Sequence, residues 1–165
     1  MKRVIGIDPG SRVTGIGIVD ISGSRLSPVE YGIIRTRDKD FAQRLKTIFV
    51  ELDQILKKYK PEEFAIEKVF VNKNVSSALK LGQARGAAIV AAGVNSIPVF
   101  EYSPNEIKKA VVGRGHAGKS QIQAMALNLL DLAEIPESDA ADALACAICH
   151  INTNKVLSYI QEQNQ

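Results

Sequence analysis

A chain of 165 residues, 45% hydrophobic and 24% charged, can bury one sizeable core and is cramped for two. Lys and Arg outnumber Asp and Glu by 21 to 18, so the net charge of +3 and isoelectric point near 8.9 permit a polyanionic partner without demanding one. The opening apolar run, Val4 to Ile7, is too short for a secretory segment and no stretch approaches a membrane span, which predicts a cytoplasmic protein with reduced cysteines.

In chain order, an apolar run ends on Asp8, and Pro9, Gly10 and Ser11 then punctuate the sequence before TGIGIVDI and ISGSRLSPVEYGIIRT. This predicts a three-stranded meander. From Phe41 the period changes: Phe41, Leu45, Ile48, Phe49, Leu52, Ile55, Leu56 and Tyr59 recur at helical spacing while the charges take the other face. A short strand, EFAIEKV, follows Pro61. Next comes a small-residue helix from about Val75 to Val94, whose Gly82 and Gly86 suit close packing onto the sheet or a dimer seam. PVFEY reads as a fifth strand. The remainder is helical: a capped SPNEIKKAVV, a loop GRGHAG, KSQIQAMALNLLDLAE, a break at Pro136, SDAADALACAICHIN, and a weakly helical or frayed tail from about residue 155. Together these predict a single α/β domain over residues 1–165 with a mixed five-stranded sheet flanked by helices.

Two short patterns match familiar motifs without their context. GRGHAGKS, Gly113 to Ser120, fits GxxxxGK[ST], but a nucleotide phosphate loop needs a strand ahead of it, and PNEIKKAVV reads as helix. No nucleotide is expected there; Lys119 at a helix start still suits a DNA phosphate. CAICH, Cys146 to His150, fits the haem-attachment pattern, yet Cys146 and Cys149 lie one helical turn apart among alanines and isoleucines, where they read as small core residues. His150 reads as a helix cap or as a residue reaching an active site.

What remains is a set of acids where acids are costly. Asp8 ends an apolar strand, Glu67 is framed by Ala65 and Ile66, and Asp139 and Asp142 lie i and i+3 on the first turn of one helix. Singly, Asp8 is equally a turn former, part of a phosphate cradle, or a metal ligand, and Asp139 is equally a residue suited to a helix start. If the four converge, their repulsion in a low dielectric amounts to several kcal/mol unless protons or cations intervene. Two hard divalent ions with oxygen ligands offset those charges, and such a pair, about 4 Å apart, serves phosphodiester hydrolysis by water.

The segments IGIDPGSRVTGIGIV, AIEKVFVNKNVSSALKLGQARG, VFEYSPNEIKKAVVGRGHAGKSQIQ and SDAADALACAICH, in that order and spacing, resemble the RuvC crossover-junction endodeoxyribonucleases, Holliday-junction resolvases of the RNase H-like superfamily. The resemblance spans almost the whole chain. It implies an RNase H-like fold, a homodimer, dependence on Mg²⁺ (two ions per active site) or Mn²⁺, and paired symmetric nicks across four-way junction DNA that leave 5′-phosphate and 3′-hydroxyl ends. It also implies coupling to the RuvA and RuvB branch-migration proteins. Carried onto matching positions, the catalytic and metal-binding acids are Asp8, Glu67, Asp139 and Asp142. Phe70 is then an aromatic that contacts or stacks on bases, against the plainer reading of a core residue at a strand end. Lys108 and Lys119 correspond to positions associated with DNA phosphates, and Lys73, Lys80, Arg85, Lys109 and Arg114 are candidates to extend that basic surface.

Overall fold

The computed structural model describes residues 1–70, 74–113 and 118–163, with side chains as far as residue 154. The described residues form five strands and five helices in the order the sequence predicts: β1 (Lys2–Asp8), β2 (Val13–Ser22), β3 (Arg25–Arg35), α1 (Phe41–Tyr59), β4 (Glu63–Glu67), α2 (Val75–Val94), β5 (Val99–Tyr102), α3 (Pro104–Val112), α4 (Lys119–Leu130) and α5 (Ser138–Gln163). The strand order is β3-β2-β1-β4-β5, with β1 antiparallel to β2 and parallel to β4. The meander supplies one half of the sheet and the two helix-linked crossovers supply the other.

Alternation along the strands separates two cores. Ile5, Ile7, Ile16, Ile18, Phe64 and Ile66 face α1 and α2, where they meet Ile48, Leu52, Leu56, Ala84 and Ala88. Val4, Val19, Ala65 and Tyr102 face the other way, against Leu144, Cys146, Ile148 and Cys149 of α5 and the buried sides of α3 and α4. Asp8 and Glu67 belong by parity to this second face. The β1–β4 register, Gly6 beside Ala65 and Ile7 beside Ile66, sets the two acids side by side at the C-terminal ends of neighbouring strands.

α5 lies unusually close to the sheet. A Cβ on Gly15 would stand 1.9 Å from the Asp139 carbonyl oxygen, and one on Gly6 would stand 2.0 Å from that of Ala143. Bare backbone on β1 and β2 therefore admits the alanine-rich face of α5 and delivers its first turn to the end of β1.

Three expectations change and one holds. KSQIQAMALNLLDLAE does not stay helical throughout: α4 stops at Leu130, because Asp131 adopts a left-handed conformation (φ 50°) and its N–H closes onto the Leu127 carbonyl. Gly82 and Gly86 do not pack onto the sheet, since a Cβ on either would meet nothing within 4 Å; Ala84, Ala88, Ala91 and Ala92 make that contact. α5 continues to Gln163, so His150 is an interior residue of that helix rather than its cap. Ahead of Gly118 and Lys119 stands helix α3, closed by the left-handed Gly113, and not the strand a phosphate loop requires; residues 114–117 of that motif lie outside the described residues.

Candidate active site

Each acid is held by its element. Glu67 ends β4, and its carbonyl oxygen accepts from Arg85 Nε at 3.1 Å. Asp139 and Asp142 project from the start of α5, whose first turn is fixed by the Ala141 N–H donating to the Glu137 carbonyl at 2.9 Å. Asp8, between them, is largely enclosed.

The charges on these groups conflict. Burial, followed by the charges of Glu67, Asp142 and Asp139, pushes Asp8 up to about 8, so near neutral pH it holds a proton and donates it to the Glu67 carboxylate. Burial and then Asp142 raise Glu67. Asp142 is raised by burial, with Lys119 and then Asp139 acting in opposite directions on it, and Lys108 also lowers it. The four acids therefore converge as the sequence suggests. The two lysines singled out with them stand close enough to influence Glu67 and Asp142.

Two adjoining clefts meet at Glu67. One, of ≈180 Å³, is lined by Glu67, Asp142, Lys108 and Lys119 together with Pro104, Ile107 and Ile122. The other, of ≈350 Å³, is lined by Asp8, Pro9, Glu67, Lys68, Phe70 and Leu81 among others. Phe70 is 63% exposed on its rim, which overturns the core reading of that residue. An exposed aromatic beside acids and a lysine presents a flat face to whatever enters.

The donor set suits a hard divalent cation: carboxylate oxygens from three elements, partly withdrawn from water, sharing a proton that a cation can replace. Among the described residues no three His, Cys, Asp or Glu side chains stand close enough to enclose an ion as placed. Asp8, Glu67 and Asp142 instead line the two clefts.

The remaining candidates resolve differently. Cys146 and Cys149 are buried and unpaired, and burial pushes both thiols up, Cys149 to about 11, which fits core residues and not reactive ones. His150 is fully buried near the opposite end of β4, with Nδ1 2.7 Å from Tyr102 Oη and Nε2 2.6 Å from Glu63 Oε2. It reaches no active-site acid. Arg85, grouped by sequence with surface cations, instead holds the Glu67 backbone and pairs with Glu101 at 2.7 Å. Its place between the buried Ala84 and Ala88 was the available signal. Lys73 and Arg114 lie outside the described residues. Among the described residues no helix is long and apolar enough to cross a membrane.

Known proteins resemble the chain in sequence and in fold. The chain is 53% identical over 158 residues to the crossover junction endodeoxyribonuclease RuvC of Shewanella piezotolerans, covering 96% of this chain and 91% of that protein. It is 55% identical over 150 residues to that of Hydrogenovibrio crunogenus, covering 91% and 87% respectively. A Thermus thermophilus RuvC structure in complex with Holliday junction substrate superposes with a TM-score of 0.88 at 33% identity, covering 94% of this chain and 96% of that one. The shared fold, identities above 50% over most of the chain, and a match of residues 4–150 to the family model for crossover junction endodeoxyribonuclease RuvC show that the chain belongs to the RuvC family.

Proposed function

We propose that this chain is a structure-selective endodeoxyribonuclease that resolves Holliday junctions by paired symmetric nicks, with Asp8, Glu67, Asp139 and Asp142 as its catalytic and metal-binding acids. The observation that carries the site assignment is the crowding of three carboxylates around the enclosed Asp8, with Lys108 and Lys119 lining a cleft beside Glu67 and Asp142. A structural role does not require such a cluster, because like charges at this spacing oppose folding.

When bound, two divalent cations, Mg²⁺ or Mn²⁺, supply charge compensation and Lewis acidity for water attack on a phosphodiester, giving 5′-phosphate and 3′-hydroxyl ends. The acids hold and orient that charge at the mouth of the site. Glu67 is fixed through its carbonyl by Arg85, and Asp139 and Asp142 through the close seat of α5 on Gly15. Lys108 and Lys119 draw the polyanionic backbone into the cleft and offset the negative field that would otherwise repel it. Phe70 offers a stacking surface for a base beside the scissile bond.

Paired nicks need paired sites. α2 offers a seam: Val75, Leu79, Val90 and Val94 are each more than half exposed, and Gly82 and Gly86 between them leave the backbone open to close approach. A homodimer across this face sets two acid clusters on one four-way junction. Family membership supports coupling to RuvA and RuvB as part of the same proposal. The test is a labelled synthetic four-way junction incubated with the protein, with and without Mg²⁺ and with and without ATP. We expect Mg²⁺-dependent, ATP-independent symmetric nicking; tight binding with no cleavage in any divalent cation would overturn the assignment.

A further inference from the structure

Phe70 follows β4, and Lys108 and Lys119 lie on α3 and α4 beyond β5, so every DNA contact assigned above falls on one side of Asp8. On the β2–β3 side stands a different cluster. Arg12, in the turn after β1, Arg35, the last residue of β3, and Arg37 line a pocket of ≈350 Å³ with Val13 and Thr36. Its floor is built: the Thr36 N–H donates to the Arg12 carbonyl at 2.9 Å, and Thr36 Oγ1 donates to the Ser11 carbonyl at 2.7 Å. Thr36 is itself buried, and Val13 pairs with Arg35 in the sheet register.

Three arginines line this pocket, and one carboxylate, Glu137, pairs with one of them. Arg35 reaches Glu137 at 2.7 Å, while Arg12 and Arg37 make no ion pair among the described residues. Three neighbouring cations attract an anion to the pocket, and guanidinium forks match phosphate oxygens in geometry. No aromatic side chain lines it, and its polar side-chain donors suit backbone oxygens rather than a stacked base. Asp8 pairs with Gly15, and Gly15 with Ile33, so the pocket lies two strands from the acids. That is roughly 10 Å at ordinary strand spacing, within reach of a strand a few nucleotides long.

We infer that Arg12, Arg35 and Arg37 form a backbone-phosphate pocket that grips the DNA strand on the side of the scissile bond away from Phe70. The inference rests on the nuclease reading above. Its role is to hold the strand at two points so that the bond between them lies across the acids. It carries no base preference.

The test is junction binding by Arg12→Gln/Arg37→Gln across a salt series without divalent cations; Arg35 is retained because it steadies Glu137 ahead of α5. We expect log Kd to depend less steeply on log salt, by about one unit for each phosphate no longer gripped, equally for junctions of different sequence. Arg25→Gln, at the far end of β3, leaves the slope unchanged. A second arm replaces single phosphates flanking the scissile bond by neutral methylphosphonates: one position should weaken wild-type binding and add nothing to the double variant. A wild type that binds and cleaves, beside a double variant of unchanged slope or strictly additive effects at every phosphate, overturns the pocket alone. A wild type that does not bind the junction overturns both readings.

Discussion

Glu63 and Glu67 stand at the two ends of β4 on one face, about 13 Å apart, both covered by α5. At Glu63 every neighbour is favourable: Lys2 Nζ at 2.5 Å, His150 Nε2 at 2.6 Å and Asn154 Nδ2 at 3.3 Å. Burial raises its carboxyl, but the hydrogen bonds from Lys2 and His150 outweigh that and hold it below the ordinary glutamate range. At Glu67 burial and Asp142 together raise the carboxyl, and the bond from Asp8 only moderates this. One strand thus carries a satisfied acid and a frustrated one. The difference lies in what each end of α5 brings: imidazole and amide at one, two carboxylates at the other. Packing alone explains the first arrangement. The second makes sense as a place kept for cations.

Substitution at the frustrated end should have the largest effect. Asp8→Asn should lower junction cleavage on the order of 10³-fold or more, while binding near neutral pH without metal stays about the same, because Asp8 already holds a proton there, and tightens only at higher pH, where the wild-type acid becomes charged. Gel assays of nicking and of binding check both; a variant that cleaves near the wild-type rate would refute the metal assignment. Lys119 differs in kind from Lys2, which bonds its acid directly, whereas Lys119 acts on Asp142 through its charge. Lys119→Ala should reduce cleavage about 10²-fold, the usual effect of removing one preorganised electrostatic group, with little change in thermal stability.

The satisfied end should respond in stability instead of rate. Glu63→Gln weakens a partly buried network and leaves Lys2 without its carboxylate, so we expect a loss of about 1–3 kcal/mol in urea unfolding. Cleavage per folded molecule should stay within about twofold of wild type. A large loss of activity without loss of stability would mean that the two ends are coupled through α5.

The sequence made much of this legible because strand alternation and helix spacing are local. Ile5, Ile7, Phe64 and Ile66 fix which face of each strand is apolar, and Asp8 and Glu67 then fall together on the other. Three properties were not local. IGIDPGSRVTGIGIV looks like a phosphate hairpin, but Gly6 and Gly15 are seats for α5, a role visible only once residues more than a hundred positions away are placed against them. His150 depends on a Glu63 partner 87 residues away, and its ring could not be assigned from CAICH alone. Gly82 and Gly86 were read through helix packing, yet a spacing of four does not say which face of α2 meets the sheet, and the alanines won that contact.

The smallest effect separates the two ends by pH alone. Asp8 in the folded, metal-free protein titrates at about 8, far above its unfolded range, so between these limits the native state binds more protons than the unfolded chain. Stability must then fall as pH rises, continuing through pH 8. Glu63 has the opposite sign: its contribution is present above the ordinary glutamate range and is lost only as pH drops below it. His150, lowered chiefly by burial, likewise loses stability only on acidification. Between about pH 7 and 8, therefore, the decline comes from the acid cluster, by about 1 kcal/mol, below the limit of about 1.4 kcal/mol for one proton per pH unit. Urea unfolding in a chelator should show this slope in wild type and in Glu63→Gln but not in Asp8→Asn. Adding Mg²⁺ should oppose it, because each cation bound favours the deprotonated acids and its stabilisation grows with pH. If Asp8→Asn kept the full slope, the proton would reside elsewhere and Asp8 would not be the centre of the cluster.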